Sequence, residues 1–416
     1  MIQEKTSTTS KQLSFEEFKS EILNDYRIAV LSRECSIIGR REVLTGKGKF
    51  GIFGDGKEVP QLAMAKAFKK GDFRSGYYRD QTFMMAIGML TPQKLFAGLY
   101  AHTDIKAEPF SAGRQMGAHY ASHSLHEDGS WKNLTEQYNV CADMSSTASQ
   151  MPRLLGLAQA SKIYRELDSL KEHGVKFSSE GNEIAWGTIG NASTSEGLFF
   201  ETINAAGVLQ VPTIISVWDD EYGISVHQKH HTTKESISEA LKGFERNNEQ
   251  KGFEIITVKG WDYVKLIDCY NKAAKLSREE HIPILIHVTE LTQPQGHSTS
   301  GSHERYKSKK RLQWEKDFDC NKKMRGWILD FELESNGEVL RFVESEEELL
   351  TIEKEAKKEV IKAKKDASAA YLAPLKSLQK QAVLLLKAAA SFSKNKVFIE
   401  KLTTSLQSII EVSRRD

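Results

Sequence analysis

Short apolar runs alternate with amphipathic segments in the middle of the chain, and this alternation constrains the fold more than any other feature of the sequence. The apolar runs have the length and composition of buried strands, and they cover residues 183–189, 213–218, 254–258 and 283–289. Helical patterns cover residues 196–209 and 263–278. Strands that alternate with helices of this length predict an α/β fold with a doubly wound parallel sheet.

Composition divides the chain into three regions. Residues 1–12 are polar and are predicted to form a flexible tail, and residues 13–330 contain the alternating pattern and form the main domain. Residues 331–416 are rich in Lys, Glu, Ala and Leu, which predicts a mainly helical extension. Acidic and basic side chains are interleaved in this extension, so a solvated or coiled-coil-like helix is favoured over nucleic-acid binding.

The bulk properties exclude several classes of protein. The formal net charge is +2, which gives no general reason to expect a nucleic-acid or membrane partner. The four cysteines are far apart and form no CxxC pair, so neither a zinc site nor a disulfide scaffold is predicted. The N-terminus lacks the apolar core of a signal peptide, and no apolar run is long enough to span a membrane. We therefore expect a soluble cytoplasmic protein.

Two polar loops follow neighbouring strands of the predicted sheet. Gly190-Asn191-Ala192 follows the first strand, and Asp219-Asp220 follows the second. Ligands of such sheets bind beyond the carboxyl ends of the strands, where both loops are expected to lie. A loop of small residues brings backbone N–H groups close to phosphate, and carboxylate and amide oxygens are suitable magnesium ligands. The residues predict a metal–diphosphate site, with ordinary polar strand-end loops as the alternative.

The two loops resemble the cofactor signature of thiamine-diphosphate enzymes, and other segments resemble the alpha half of the 2-oxo acid dehydrogenase decarboxylating component. The family has an acidic residue in the first loop and an amide in the second, and in this chain the two have changed places. The resemblance implies magnesium ligands at Asn191, Asp220 and the carbonyl oxygen of Tyr222. It also places Ala192 and Ser193 against the cofactor. Because one carboxylate and one amide remain, the exchange preserves the charge and number of the ligands.

Further segments match the family in the same order along the chain. Tyr78 and Arg79 resemble a pair that binds the diphosphate, and the planar guanidinium of Arg79 suits that role. Ser145 resembles a residue that contacts thiamine diphosphate. Ser149 and Gln150 resemble the ligands of a potassium ion that some members bind.

A histidine in the segment 296–300 resembles the one that lies over the reacting carbon in the family. The resemblance implies that His297 stabilises intermediates or moves protons, which suits an imidazole that titrates near neutrality. Without the resemblance, an ordinary surface histidine would be the preferred interpretation. His227, His230 and His231 lack further ligands at supporting spacing and are interpreted as part of a solvated loop.

Two features depart from the family pattern. An arginine that reaches the diphosphate in the family is replaced by Trp218, so one contact is missing unless another basic residue substitutes for it. Gly54-Asp55-Gly56 matches the Gly-Asp-Gly string of the superfamily literally. No Asn pair follows it at the expected distance, so this segment is interpreted as a turn.

The resemblance covers residues from about 20 to about 360 and implies a specific activity. With thiamine diphosphate and magnesium, and potassium as a further candidate, the chain would decarboxylate a 2-oxo acid oxidatively and transfer the acyl group to lipoamide. The segment 113–116 is closer to the branched-chain members, so a branched-chain 2-oxo acid is the predicted substrate and pyruvate the alternative. The activating glutamate belongs to the beta half in this family, so the chain alone is expected to be inactive.

The resemblance also implies partners. These are a beta half, either separate or fused as in some bacterial forms, and a lipoyl acyltransferase. The assembly would be an alpha2beta2-like heterotetramer or a dimer of fused chains, and the extension would then lead into a beta half. Two alternatives remain open: another thiamine enzyme, such as a transketolase-like one, and a non-catalytic partner-binding subunit that kept the fold.

Overall fold

The computed structural model describes residues 14–172, 174–413 and 415, and it contains one large sheet and two short hairpins. The strands are β1 Phe73–Ser75, β2 Asn139–Val140, β3 Ala185–Gly190, β4 Thr213–Trp218, β5 Tyr222–Gly223, β6 Val226–His227, β7 Glu254–Lys259, β8 Ile284–Thr289, β9 Leu333–Ser335 and β10 Glu338–Leu340. Six of them pair in the order β2-β1-β3-β4-β8-β7, and every pairing in this sheet is parallel. The predicted α/β fold with a parallel sheet is confirmed.

Helices cover the sheet and form the C-terminal part of the chain. They are α1 Phe15–Leu44, α2 Glu58–Ala67, α3 Gln81–Ala86, α4 Pro92–Leu99, α5 Gln150–Glu166, α6 Asp168–Lys171, α7 Gly197–Leu209, α8 Ile237–Ala240, α9 Tyr263–Glu280, α10 Lys309–Asp317, α11 Cys320–Asp330, α12 Glu346–Phe392 and α13 Lys396–Ser408. Short 3-10 helices lie at Leu134–Glu136, Ala192–Ser195, Gln228–His230, Thr233–Glu235, Lys242–Phe244 and His303–Arg305.

The central strands are buried on both faces. Successive side chains of a strand point to opposite faces, and neighbouring residues of β3, β4 and β8 accordingly belong to two different apolar clusters. Trp186, Ile214 and Ile284 join the cluster that includes α1, α2 and α9, whereas Ala185 and Ile215 join the cluster of α5 and α7. Burial on both faces explains why these strands are continuous apolar runs in the sequence.

The helical extension packs on the main domain through its first half. Leu349, Ala356 and Val360 of α12 are buried in the same cluster as α1. The Tyr26 hydroxyl of α1 also donates to Glu353 Oε1 at 2.6 Å. The hairpin β9–β10 precedes α12 and was not part of the predicted helical extension. The tail predicted at residues 1–12 lies outside the described residues, and none of the described helices is long and apolar enough to cross a membrane.

Candidate functional site

The two predicted loops meet at the carboxyl edge of the sheet. Gly190, the last residue of β3, pairs with Trp218, the last residue of β4, so the following segments begin side by side. Asn191 and Asp220 are both buried at this edge, with 5% and 8% of their surface exposed. A cavity of about 280 Å³ opens between the loops. Eight predicted site residues line it: Tyr78, Arg79, Asn191, Ala192, Ser193, Asp220, Tyr222 and His297.

A buried lysine is bound to the predicted metal ligand Asp220. The ammonium Nζ of Lys57 donates to Asp220 Oδ2 at 2.9 Å, to the Thr292 carbonyl oxygen at 3.1 Å and to Gln293 Oε1 at 2.7 Å. The other carboxylate oxygen of Asp220 accepts from the Tyr222 backbone N–H at 3.2 Å. Burial opposes ionisation of this carboxyl, but the charges of Lys57, Lys307 and Arg79 together outweigh it and lower the pKa of Asp220 to about 2. Asp220 is therefore an anion already paired with an internal cation.

The turn 54–56 brings Lys57 to the cavity. A side chain at Gly54 would put its Cβ 2.3 Å from the Arg79 carbonyl oxygen, and one at Gly56 would come 2.1 Å from that of Thr292. Gly56 also has φ +85°, a left-handed conformation that favours glycine. The turn can therefore lie directly against the backbone of both neighbouring segments, and Lys57 follows it at the start of α2.

Arg79 and His297 line the same cavity and are bonded to each other. The Arg79 guanidinium donates from Nη2 to the ring Nδ1 of His297 at 2.9 Å and to its carbonyl oxygen at 2.8 Å. It also donates from Nη1 to the Phe53 carbonyl oxygen at 2.7 Å. Burial, together with the charge of Arg79, lowers the pKa of His297 to about 3. The expectation that this imidazole titrates near neutrality is wrong for this structure, because the ring is desolvated beside a fixed cation.

The side chains of the two residues that precede Asp220 are hydrogen-bonded to groups inside the protein, although Trp218 also lines the cavity. The indole Nε1 of Trp218 donates to Asp80 Oδ1 at 3.2 Å in the interior of the protein. The Asp219 carboxylate binds the ring Nε2 of the buried His287 at 2.8 Å and accepts from the Glu221 backbone N–H at 2.7 Å. Of the Asp219-Asp220 pair, Asp220 is the residue that lines the cavity.

Comparison with known proteins decides the family to which this site belongs. The family model for the dehydrogenase E1 component matches residues 26–375. The chain belongs to the dehydrogenase E1 component family. This family depends on thiamine diphosphate.

Individual relatives of this E1 chain are distant. It is 27% identical over 269 residues to the 2-oxoisovalerate dehydrogenase subunit alpha of Bacillus subtilis, covering 64% of this chain and 69% of the relative. It is 25% identical to the mitochondrial 2-oxoisovalerate dehydrogenase subunit alpha 1 of Arabidopsis thaliana, covering 68% of this chain and 52% of the relative. It is 22% identical to the pyruvate dehydrogenase E1 component subunit alpha of Rickettsia prowazekii, covering 82% of this chain and 92% of the relative. The chain thus spans about half the length of some relatives and most of others.

Three predicted site residues of the E1 chain do not line the cavity. Ser145 is exposed, and its hydroxyl pairs with the ring Nε2 of His119 at 3.0 Å. The Ser149 hydroxyl donates to the Ser146 carbonyl oxygen at 2.7 Å, and Gln150 Nε2 donates to the Thr188 carbonyl oxygen at 3.0 Å. Their roles toward thiamine diphosphate and potassium stay predictions. Thr147 of the same loop does line the cavity.

Lys57 is the residue of the E1 site that sequence reasoning missed. The available signal was its position directly after the Gly54-Asp55-Gly56 turn and directly before a helix. A cation at a helix N-terminus is unfavourable unless it is paired, because the helix dipole is positive there. A lysine in that position therefore indicates an acidic partner from elsewhere in the fold.

The cavity of the E1 chain fits a diphosphate better than a metal ion. Lys57, Arg79 and Asp220 are its charged lining residues, and two cations against one anion leave one net positive charge. Asn191 Nδ2 is buried and has no hydrogen-bond partner among the described residues. Asn191, Asp220 and Tyr222 offer oxygen types that suit magnesium. However, the carboxylate among them is held by an ammonium, so these residues as arranged do not form a magnesium site.

Proposed function

We propose that this chain is the alpha-type decarboxylating component of a 2-oxo acid dehydrogenase and that it binds thiamine diphosphate in the cavity at the strand ends. The observation that carries the proposal is the convergence of eight residues, chosen from the sequence, on one cavity with one net positive charge. Membership of the dehydrogenase E1 component family supports the same conclusion.

The residues of the first loop would hold the diphosphate. Gly190 lacks a side chain where the chain turns, and a Cβ there would lie 3.0 Å from the Tyr77 hydroxyl. The buried amide Nδ2 of Asn191 has no partner in the part of the chain that the structure describes, and Arg79 adds a guanidinium to the cavity lining. Amide and guanidinium donors are the groups that bind phosphate oxygens. When bound, thiamine diphosphate supplies the carbon that attacks the keto group and stabilises the resulting charge.

His297 would act as a neutral hydrogen-bond donor. Arg79 has no acceptor atom, so the ring Nδ1 of His297 must accept from it, and the proton of the neutral ring then lies on Nε2. The ring lines the cavity, and its Nε2–H can donate to an oxygen that gains negative charge during the reaction. This role keeps the predicted contact with the intermediates and needs no imidazolium.

Magnesium and potassium were the further cofactors implied by the resemblance. The resemblance implied Asn191, Asp220 and Tyr222 as magnesium ligands, but they do not fit that ion as arranged, because Lys57 is bound to Asp220. Ser149 and Gln150 stay the potassium candidates. No step of the proposed function depends on either ion, because Lys57 already neutralises the Asp220 carboxylate.

Branched-chain 2-oxo acids are the proposed substrates. The relatives named 2-oxoisovalerate dehydrogenase support this choice, as does the segment 113–116, and the relatives named pyruvate dehydrogenase support pyruvate as the alternative. The acyl group would pass to the lipoyl arm of an acyltransferase. A beta half, separate or fused, would complete the active site in an alpha2beta2-like assembly or a dimer of fused chains. A cytoplasmic location stays a prediction from the sequence.

A non-catalytic, partner-binding subunit is the second candidate function. The specific observations in its favour are the ion pair that occupies Asp220 and the uncharged indole of Trp218 at the position of the family arginine. Cofactor binding separates the two candidates, because a subunit that merely kept the fold has no reason to bind thiamine diphosphate.

The test combines the full chain with a beta half, its own or that of a related bacterial enzyme, and measures carbon dioxide release from a panel of 2-oxo acids. We expect release from branched-chain substrates with the beta half and none from the chain alone. Release by the isolated chain would contradict the expected need for a beta half. Failure to bind thiamine diphosphate even with the beta half, together with no turnover of the panel, would favour the non-catalytic candidate.

A further inference from the structure

The ammonium of Lys57 lies beside the Asp220 carboxylate in the lining of the cofactor cavity. It is buried, and its three hydrogen-bond acceptors come from Asp220, Thr292 and Gln293. An ammonium has three donors, so this arrangement uses all of them and fixes the charge in place. The side-chain contacts of Lys57 run to the strand-end loops of the cofactor cavity rather than to its own helix.

Each oxygen of the Asp220 carboxylate already accepts a hydrogen bond. Lys57 holds Oδ2, and the Tyr222 backbone N–H donates to Oδ1. A magnesium ion bound to Asp220 would have to displace the ammonium or lie next to it. Two cations that share one carboxylate in a poorly solvated site repel each other strongly. The ion pair and a metal ion are therefore competing ways to neutralise the same anion.

The other polar groups of the cavity favour an anion as well. The buried amide Nδ2 of Asn191 lacks an acceptor among the described residues, and Arg79 contributes a second fixed cation. With Lys57 in place the charged lining residues sum to one positive charge. A divalent ion on Asp220 in place of Lys57 would, together with Arg79, give two positive charges. With Lys57 the diphosphate therefore still meets a net positive charge, although one charge smaller than with a divalent ion.

We propose that Lys57 is a built-in cation that takes the place of the divalent metal, so that this chain binds the diphosphate of its cofactor without requiring magnesium. The inference deepens the proposed function and rests on it, since it concerns the same thiamine diphosphate site. It links three departures from the family pattern, namely the amide at Asn191, the acid at Asp220 and the loss of the arginine at Trp218. Lys57, directly after the turn 54–56, supplies the positive charge that is missing from the strand end.

The test is calorimetric titration of the full chain, alone and with a beta half, against thiamine diphosphate and against inorganic diphosphate. Each titration is run with a metal chelator and again with excess magnesium. We expect the dissociation constants in the two buffers to differ by less than about fivefold. A larger tightening by magnesium would overturn the inference but leave the proposed cofactor site standing. Failure of both ligands to bind in every condition would refute the site itself.

A charge-removing variant tests Lys57 directly. In Lys57→Met the Asp220 carboxylate faces the diphosphate uncompensated, so we expect metal-free binding to weaken by at least about tenfold and magnesium to restore most of it. Equal metal-free affinity of this variant and the wild type would overturn the inference. If circular dichroism shows that the variant does not fold, the inference is tested by the wild type alone, through its dissociation constants with chelator and with magnesium.

Two further variants serve as controls. Lys66→Met removes a lysine from the same helix, where it pairs with Glu21 and Asp25 away from the cavity, and it should bind both ligands like the wild type. The double variant Lys57→Met with Asp220→Asn removes both charges and returns the cavity to one net positive charge. We expect it to bind without magnesium, and a persistent magnesium requirement would show that Lys57 acts through local structure and not through its charge.

Discussion

Arg79 donates to both the ring Nδ1 and the backbone carbonyl oxygen of His297, at 2.9 and 2.8 Å. The guanidinium is always charged and has only donors, so it fixes the imidazole as an acceptor at Nδ1. The family histidine is thereby positioned by the same arginine that faces the proposed diphosphate site. A single cation can thus orient the ring and keep it neutral.

The protonation state of His297 is the first prediction. Because burial and Arg79 lower its pKa to about 3, we expect the ring to stay neutral with the proton on Nε2 between about pH 5 and pH 8. Long-range proton–nitrogen NMR correlation of labelled protein measures this directly, with the signal assigned by its loss in His297→Gln. Protonation of the ring near its ordinary pKa of about 6.5 would contradict the prediction. In Arg79→Gln the pKa should move upward.

The second prediction concerns the contribution of the Trp218 indole to the stability of the fold. Its Nε1 donates to Asp80 Oδ1 at 3.2 Å, and the side chain is fully buried. Trp218→Phe removes this donor and leaves a smaller ring in the same space. We expect the free energy of unfolding to fall by about 1–3 kcal/mol, measured by urea denaturation. Trp131→Phe changes a half-exposed indole and should cost much less. Equal losses in the two variants would show that the Asp80 bond contributes nothing.

The third prediction concerns the contribution of the buried ion pair between Arg74 and Asp143 to the stability of the fold. Arg74 Nη1 binds Asp143 Oδ1 at 3.0 Å, and both side chains are almost fully buried. Asp143→Ala leaves the guanidinium without this partner, so we expect a loss of about 3–5 kcal/mol in the free energy of unfolding. Asp168→Ala, which breaks an exposed pair with Lys171, should cause no measurable change in the same denaturation experiment. A small effect at Asp143 would mean that Asp80 alone satisfies Arg74.

Strands β3, β4, β8 and β7 could be predicted from the sequence, whereas β1 and β2 at the other end of the sheet could not. β3, β4 and β8 are continuous apolar runs because helices cover both of their faces. β1 and β2 have three and two residues, and they contain Arg74 and Asn139, whose bonding partners include the distant Asp143 and Gly71. No local pattern marks such strands, because tertiary contacts and not burial of an apolar run hold them in place.

The candidate site divides in the same way. Residues at the ends of predicted strands, such as Asn191 and Asp220, follow from the topology of a parallel sheet. Lys57 does not, because its ion pair joins residues 163 positions apart through a turn whose approach depends on Gly54 and Gly56. Ser145, which the resemblance placed at the cofactor, stays a prediction, and its hydroxyl is paired with His119.

The fourth prediction is that the stability of the fold depends on pH through the protonation of His281. This residue ends α9 in the left-handed conformation with φ +55°, and its Nε2–H donates to the Gly181 carbonyl oxygen at 3.0 Å. Burial, assisted by the charge of Arg165, lowers the pKa of His281 to about 4. The unfolded chain has a pKa of about 6.5 at this position, so it binds more protons than the folded protein between the two values. The contribution of His281 to the free energy of unfolding is therefore fully present above about pH 6.5, and it is lost as the pH falls toward about 4.

His281→Asn tests this linkage without disturbing the backbone, because asparagine also tolerates the left-handed conformation. We expect the variant to lose less unfolding free energy than the wild type between pH 7.5 and about pH 5, measured by urea denaturation at each pH. His126→Asn, a change at an exposed histidine, should leave the wild-type dependence in place. If the His281 variant and the wild type lose the same free energy on acidification, the acid sensitivity of the fold must arise from other groups.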